Sequence, residues 1–340
     1  MPCFSPLTAF RGYVGDSGKR AVVFKAGESP PSLSVFPQKL PCGQCFGCRL
    51  DYSYDWAVRC TCEAQMHKEN SMILLTYEKL PENGSLQLSD WQNFMKTLRM
   101  EVGPVRHFHA GEYGDNNKRP HDHALLFGYD FKDKKFFKMS KAGYPLYTSE
   151  FLTSLWRKGH CTVANVSFES AGYLARYLMD KPTLTRQVKD DNGLVIGRTW
   201  TDRALAKYGS LVDTETGELV LLRRPEYLTM SRRPGIGESW LRKFWRDVYP
   251  HDWFMLKSGS KMPPPRYFDK KMEEWKLVDM NKIKLDRIAR CDSKEEVWNK
   301  FLQKFQMLDL HRDERLKVAE VVKRAQLALH NSTRGDNYDS

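Results

Sequence analysis

Apolar and polar positions sort most of this chain into strands and helices. The run "SMILLTY" (71–77) is apolar, β-prone and bounded by polar residues, which predicts a central strand, and the Asn83-Gly84 pair after it marks a turn. In "SDWQNFMKTLRMEV" (89–102), Trp91, Phe94, Met95 and Leu98 recur at helical spacing behind a Ser89/Asp90 cap. "VRHFHAGEY" (105–113) alternates like a strand, and "HDHALLFGY" (121–129) follows a short turn as its antiparallel neighbour. Beyond a basic loop at 130–145, the pattern predicts a capped helix over 148–159, a strand over 160–168 and a helix over 170–181 stopped by Pro182.

The flanks are less regular. Residues 1–41 predict little beyond a strand at 21–25, whereas 49–69 lacks Gly and Pro and predicts a helix. The stretch 183–237 is loop-rich, and helices are expected over 238–249, 269–290 and 292–330, with a disordered tail at 331–340. The expected organisation is an arm and first helix (1–69), a core (70–182), a basic extension (183–268), C-terminal helices (269–330) and the tail. Alternating strands and helices without internal repeats predict an α+β fold, a mostly antiparallel sheet flanked by helices.

Charge adds a partner class: 54 Lys plus Arg against 42 Asp plus Glu give a formal charge of +12, which suits a polyanion such as nucleic acid. No stretch approaches the roughly 20 apolar residues of a membrane span, and the N-terminus lacks the apolar core of a signal peptide, so a soluble protein of the cytoplasm is expected. In a reducing compartment the eight cysteines favour metal ligation over disulfides.

The chemistry concentrates in three places. His121 and His123 lie two apart on a strand, so both imidazoles face one side, and Glu112 lies across the short turn from His121. Two His and one carboxylate leave positions open on a divalent ion; the plain rival is an ordinary strand end. His107 and His109, on the same strand as Glu112, are spare ligands, phosphate contacts or packing. Tyr173, Tyr177 and Lys181 recur at i, i+4 and i+8 along one helix face, a pattern that core packing also produces.

Third, Cys42, Cys45 and Cys48 form C-x2-C-x2-C in "PCGQCFGCR", a metal-binding spacing. Zn2+ with Cys3 as fourth ligand is preferred, stapling the N-terminal arm; Cys60 and Cys62 are the next candidates, and an iron–sulfur cluster is the rival. Cys161 and Cys291 are expected to be buried thiols. Aromatic residues mix with Arg223, Arg224, Arg232 and Arg233 in "LLRRPEYLTMSRRPGIG", which suits stacking on unpaired bases and phosphate contacts.

The order "ILLTY", "GEYG", "RPHDHALLFG", "GYLARYLMDK" resembles the HUH endonuclease superfamily of rolling-circle replication initiators, over residues 70–182. With "PCGQCFGCRLDYSYDWAVRC" and "SRRPGIG", the likeness extends to the replication-associated proteins of microviruses of the gokushovirus type. The resemblance implies an HUH-like sheet and Mg2+ or Mn2+ on Glu112, His121 and His123. It also implies attack by Tyr177 or Tyr173, aided by Lys181, on single-stranded origin DNA, with a host helicase and polymerase as partners. Asp122 departs from the family's usual hydrophobic residue between the histidines; solvent, Arg119 or Lys118 are its expected surroundings. Two rival functions stand beside this one: a nonenzymatic zinc-containing nucleic-acid-binding protein and a phosphodiesterase that uses water.

Overall fold

The computed structural model describes residues 3–15, 20–34, 37–114, 117–140, 143–168, 170–172, 174–175, 185–189, 195–212, 215–217, 219–255, 259, 261–290 and 312–334. It divides into two compact units, Met1–Ser53 with Met272–Thr333, and Tyr54–Lys271 with Arg334–Ser340. The first unit contains a three-stranded antiparallel sheet, β1 (Leu7–Val14), β2 (Arg20–Val23) and β3 (Gln38–Leu40), in the order β2-β1-β3. Helix α1 (Phe46–Gln65) follows, beginning three residues earlier than the sequence pattern indicated.

In the second unit a seven-stranded antiparallel sheet confirms the α+β expectation. It comprises β4 (Asn70–Thr76), β5 (Arg106–Tyr113), β6 (Pro120–Phe127), β7 (Lys135–Met139), β8 (Pro145–Thr148), β9 (Cys161–Ala164) and β14 (Tyr227–Met230). Between β9 and β14 the chain forms two hairpins, β10 (Thr185–Lys189) with β11 (Val195–Trp200) and β12 (Ser210–Val212) with β13 (Leu219–Leu221). The sheet order is β14-β5-β6-β4-β9-β8-β7, so the apolar run 71–77 does form the middle strand.

Each face of this sheet carries helices because the central strands β4 and β6 are largely apolar and buried on both sides. On one face, Ile73, Leu75, Ala124 and Leu126 pack with Trp91, Phe94 and Leu98 of α2 (Leu88–Val102) and with Leu152 and Trp156 of α3 (Glu150–Trp156). On the other, Met72, Phe108, Ala110 and Leu125 pack with Trp56, Ala57 and Cys60 of α1 and with Ala171, Leu174 and Ala175. Residues 170–172 and 174–175 are helical, as the pattern over 170–181 requires.

Several expectations need correction. Helix α2 is capped at Gln87 without a side-chain bond; Asp90 instead accepts from the Tyr77 hydroxyl and pairs with Lys158. The basic loop 130–145 is largely the β7–β8 hairpin, and its aromatic residues Phe136 and Phe137 are exposed, so they carry no alternation. Nor is 183–237 mainly loop: besides the two hairpins and α4 (Asp202–Tyr208), it supplies β14, which pairs with β5 and extends the sheet past residue 182. Helices α5 (Glu238–Val248), α6 (Arg266–Trp275) and α7 (Arg312–Arg334) follow, so residues 331–334 end a helix rather than begin a tail. Residues 291–311, including Cys291, and 335–340 lie outside the described residues.

Candidate metal centre and active site

The β5–β6 register sets Glu112 opposite His121 and Ala110 opposite His123. Directly paired residues share a face, and so do residues two apart, so all three candidate ligands converge on one side of the sheet. Glu112 Oε1 lies 2.8 Å from His123 Nε2 and 3.0 Å from His121 Nε2. All three residues are buried, and their ligand atoms lie within 4.8 Å of one another.

His121 Nδ1 lies 3.2 Å from the Arg119 carbonyl, an acceptor only, so that nitrogen carries a proton, and Nε2 is the ring nitrogen turned toward Glu112. The other carboxylate oxygen, Glu112 Oε2, is buried without a hydrogen-bond partner. Burial would raise the Glu112 carboxyl, but the His123 and His121 imidazoles outweigh it and hold the group below the ordinary carboxylate range. A buried, ionised carboxylate with an unused oxygen beside two imidazole nitrogens fits a divalent cation with positions left for substrate oxygens.

His107 and His109 differ from Glu112 by odd numbers of residues, and the structure puts His109 on the opposite face. They are therefore not spare ligands. His109 Nε2 lies 2.9 Å from Asp122 Oδ1, and its Nδ1 lies 2.9 Å from Thr229 Oγ1 of β14. Its ring stacks on Trp91 at 3.7 Å between centroids and 4° between planes. Asp122 is only 1% exposed, so the expectation of solvent, Arg119 or Lys118 around it is wrong. Alternation had already assigned this residue to the far face; its partner there comes from the neighbouring strand. Gly111, paired with Asp122, is required because a Cβ would stand 2.7 Å from the Tyr227 ring.

The proposed nucleophiles Tyr173 and Tyr177, with Lys181, lie outside the described residues. Their neighbours Ala171, Leu174 and Ala175 pack against Phe108, Ala110 and Leu125, on the face that bears Glu112, His121 and His123. The candidate DNA-binding arginines bracket β14. Arg223 and Arg224 precede it, with Arg224 donating to Gln87 Oε1, and the exposed Arg232 and Arg233 follow it.

Cys3, Cys42, Cys45 and Cys48 come together in the first unit, their sulfurs within 4.8 Å of one another. Burial pushes the Cys45 thiol up, yet the Cys48 and Phe4 backbone contacts and the neighbouring thiols outweigh it and bring the group to about 7. Cys60, Cys62 and Cys161 are buried, and burial raises the thiols of all three.

A sheet with this hairpin and helices on both faces defines an α+β protein with a candidate divalent-cation site. Residues 70–182 match the family described as Replication-associated protein ORF2/G2P. The chain is 27% identical to Replication-associated protein VP4 of Bdellovibrio phage phiMH2K, over 88% of each chain. It is 29% identical to Replication-associated protein ORF2 of Spiroplasma virus 4, covering 75% of this chain and 76% of that one. Similarity to Replication-associated protein ORF4 of Chlamydia phage 1 is 33% over 44% of this chain and 40% of that one. No solved structure matches. The resemblance drawn from the motifs is thereby borne out: the chain is similar to phage replication-associated proteins over most of its length, and residues 70–182 carry the family match.

Proposed function

We propose that this protein initiates rolling-circle replication of viral DNA in the host cytoplasm by nicking one strand at the origin and later rejoining it. The observation that carries the reading is the buried grouping of Glu112, His121 and His123, on the sheet face against which Ala171, Leu174 and Ala175 pack. The names of the relatives support the coarser role, association with replication.

Glu112, His121 and His123 would hold Mg2+ or Mn2+, which when bound polarises a phosphate oxygen and offsets charge developing at the scissile group. The hydroxyl oxygen of Tyr177 or Tyr173 attacks the phosphorus and loses its proton to solvent. A tyrosine hydroxyl has an ordinary pKa near ~10, so a cation such as Lys181 beside it favours the attacking form. The bond from phosphorus to the 3′ oxygen breaks, that oxygen takes up a proton, and a 5′-phosphotyrosine and a free 3′-hydroxyl result. Attack by a later 3′-hydroxyl on the phosphotyrosine reverses the exchange and closes a circle.

Polymerase extends the 3′-hydroxyl while a separate helicase unwinds, since the sequence contains no GxxxxGK[ST] phosphate loop. Arg223, Arg224, Arg232 and Arg233 are assigned to DNA contacts on either side of the edge strand. The test is incubation with end-labelled single-stranded DNA tiled across the encoding genome, with Mn2+. Cleavage with a denaturation-resistant adduct supports the reading; cleavage without an adduct supports a water-using phosphodiesterase; no cleavage supports a binding protein alone.

A further inference from the structure

We infer that Cys3, Cys42, Cys45 and Cys48 form a closed tetrathiolate zinc site whose task is to hold the N-terminal sheet together. Four sulfurs at ~2.3 Å from one tetrahedral centre stand ~3.8 Å apart, the bond length multiplied by about 1.63. Cys45 Sγ and Cys3 Sγ are 3.8 Å apart, and all four sulfurs fit within 4.8 Å. A cage of that size suits one ion. An iron–sulfur cluster spreads its thiolates around several atoms and needs a wider one, so the rival reading of these cysteines loses its support.

The backbone is arranged for sulfur anions. Cys42 Sγ accepts from the N–H groups of Gln44 and Cys45 at 3.4 and 3.2 Å, Cys45 Sγ from Phe4 N at 3.3 Å, and Cys3 Sγ from Cys42 N at 3.3 Å. Gly43, at φ 73°, supplies the left-handed turn between the first two ligands of the loop. On binding, each cysteine releases its thiol proton to solvent, and the N–H groups offset the two net negative charges of the filled site. Four protein ligands leave no position for substrate, which separates this site from the hairpin site with its three.

The reason for the site lies in the arm itself. Cys3 and Cys42 are 39 residues apart, and β1, β2 and β3 all lie between them. Among the described residues 3–41, the buried apolar side chains are Phe4 and Ala9, while Leu7, Tyr13, Val14, Val22 and Phe24 are exposed. Two buried side chains do not hold a three-stranded sheet, and a metal staple replaces the missing core.

The test uses the full chain with His121→Ala and His123→Ala, so that the hairpin site contributes no metal and the outcome is independent of the nicking reading. Elemental analysis is expected to find one zinc per chain after dialysis. X-ray absorption at the zinc edge is expected to show sulfur neighbours alone, at about 2.3 Å. Cys48→Ser is expected to lose the zinc and Cys60→Ser to keep it. Zinc removal is expected to abolish hydrogen-exchange protection in residues 7–14 and 38–40. A chain without zinc, iron with acid-labile sulfide, nitrogen or oxygen in the first shell, or unchanged protection after zinc removal would overturn the inference; the absorption measurement needs no cysteine variant to fold.

Discussion

Replacing Asp122 by leucine, a side chain of the same branching and no charge, tests the far side of the β5–β6 hairpin. His109 is fully buried and Asp122 nearly so, so Asp122→Leu leaves His109 Nε2 facing an apolar group without water. An abandoned buried polar group costs about 1–3 kcal/mol. Taking ~2 kcal/mol and the usual ~2–4 °C per kcal/mol for a unit of this size, melting should fall by ~4–8 °C. Adding His109→Phe removes the stranded nitrogen and keeps the stack on Trp91, so the double variant should recover most of the loss. His109→Phe alone strands the Asp122 carboxylate at a similar ~2 kcal/mol, so a double-mutant cycle by calorimetry should give a coupling of roughly 3–4 kcal/mol, the two single losses less the small loss left in the double variant. Losses that simply add, or a single Asp122→Leu that melts with the parent, would refute the account of this buried pair. The double variant should bind Mn2+ like the parent, because neither side chain faces the proposed ligands Glu112, His121 and His123.

Three further outcomes are expected. Gly111→Ala should destabilise the sheet by about 1–3 kcal/mol, since the Tyr227 ring must move, and hydrogen exchange should show the loss concentrated in β14. Burial, with the Arg99 guanidinium 3.2 Å away, holds the His107 imidazole down to about 3, against about 6.5 in the unfolded chain. Its contribution is thus complete above pH ~6.5 and is lost as pH falls toward 3, so His107→Phe should flatten the decline of melting temperature between pH 7 and 5. His121→Ala should abolish calorimetric Mn2+ binding, whereas His107→Phe should leave it intact.

Strand periodicity made the β5–β6 hairpin legible: the short turn between "GEYG" and "RPHDH" sets Glu112 opposite His121, as the pairing has it. The same rule separates His107 and His109 from Glu112, although the density of histidines on one strand suggested ligands. Their packing was not legible, because the groups that complete it, Trp91, Asp122 and Thr229, come from α2, β6 and β14. Strand β14 itself gave no signal: "YLTM" is four residues inside a basic stretch, and its strand character comes from pairing with β5, 116 residues upstream at Tyr227 and Gly111. The β7–β8 hairpin escaped for a different reason, since an edge strand with exposed aromatics lacks the one-sided burial that alternation reports.

Covalent exchange between a tyrosine and DNA is the step that separates the proposed nicking function from its two rivals. Intact-mass spectrometry of the protein after incubation with single-stranded origin DNA and Mn2+ tests it most directly. The account predicts a mass increase equal to the DNA fragment downstream of the nick, mapped by proteolysis to Tyr173 or Tyr177 and lost in the Tyr173→Phe/Tyr177→Phe variant and in His121→Ala. Cleaved DNA with no change in protein mass, or an adduct that survives in the double tyrosine variant, would contradict it.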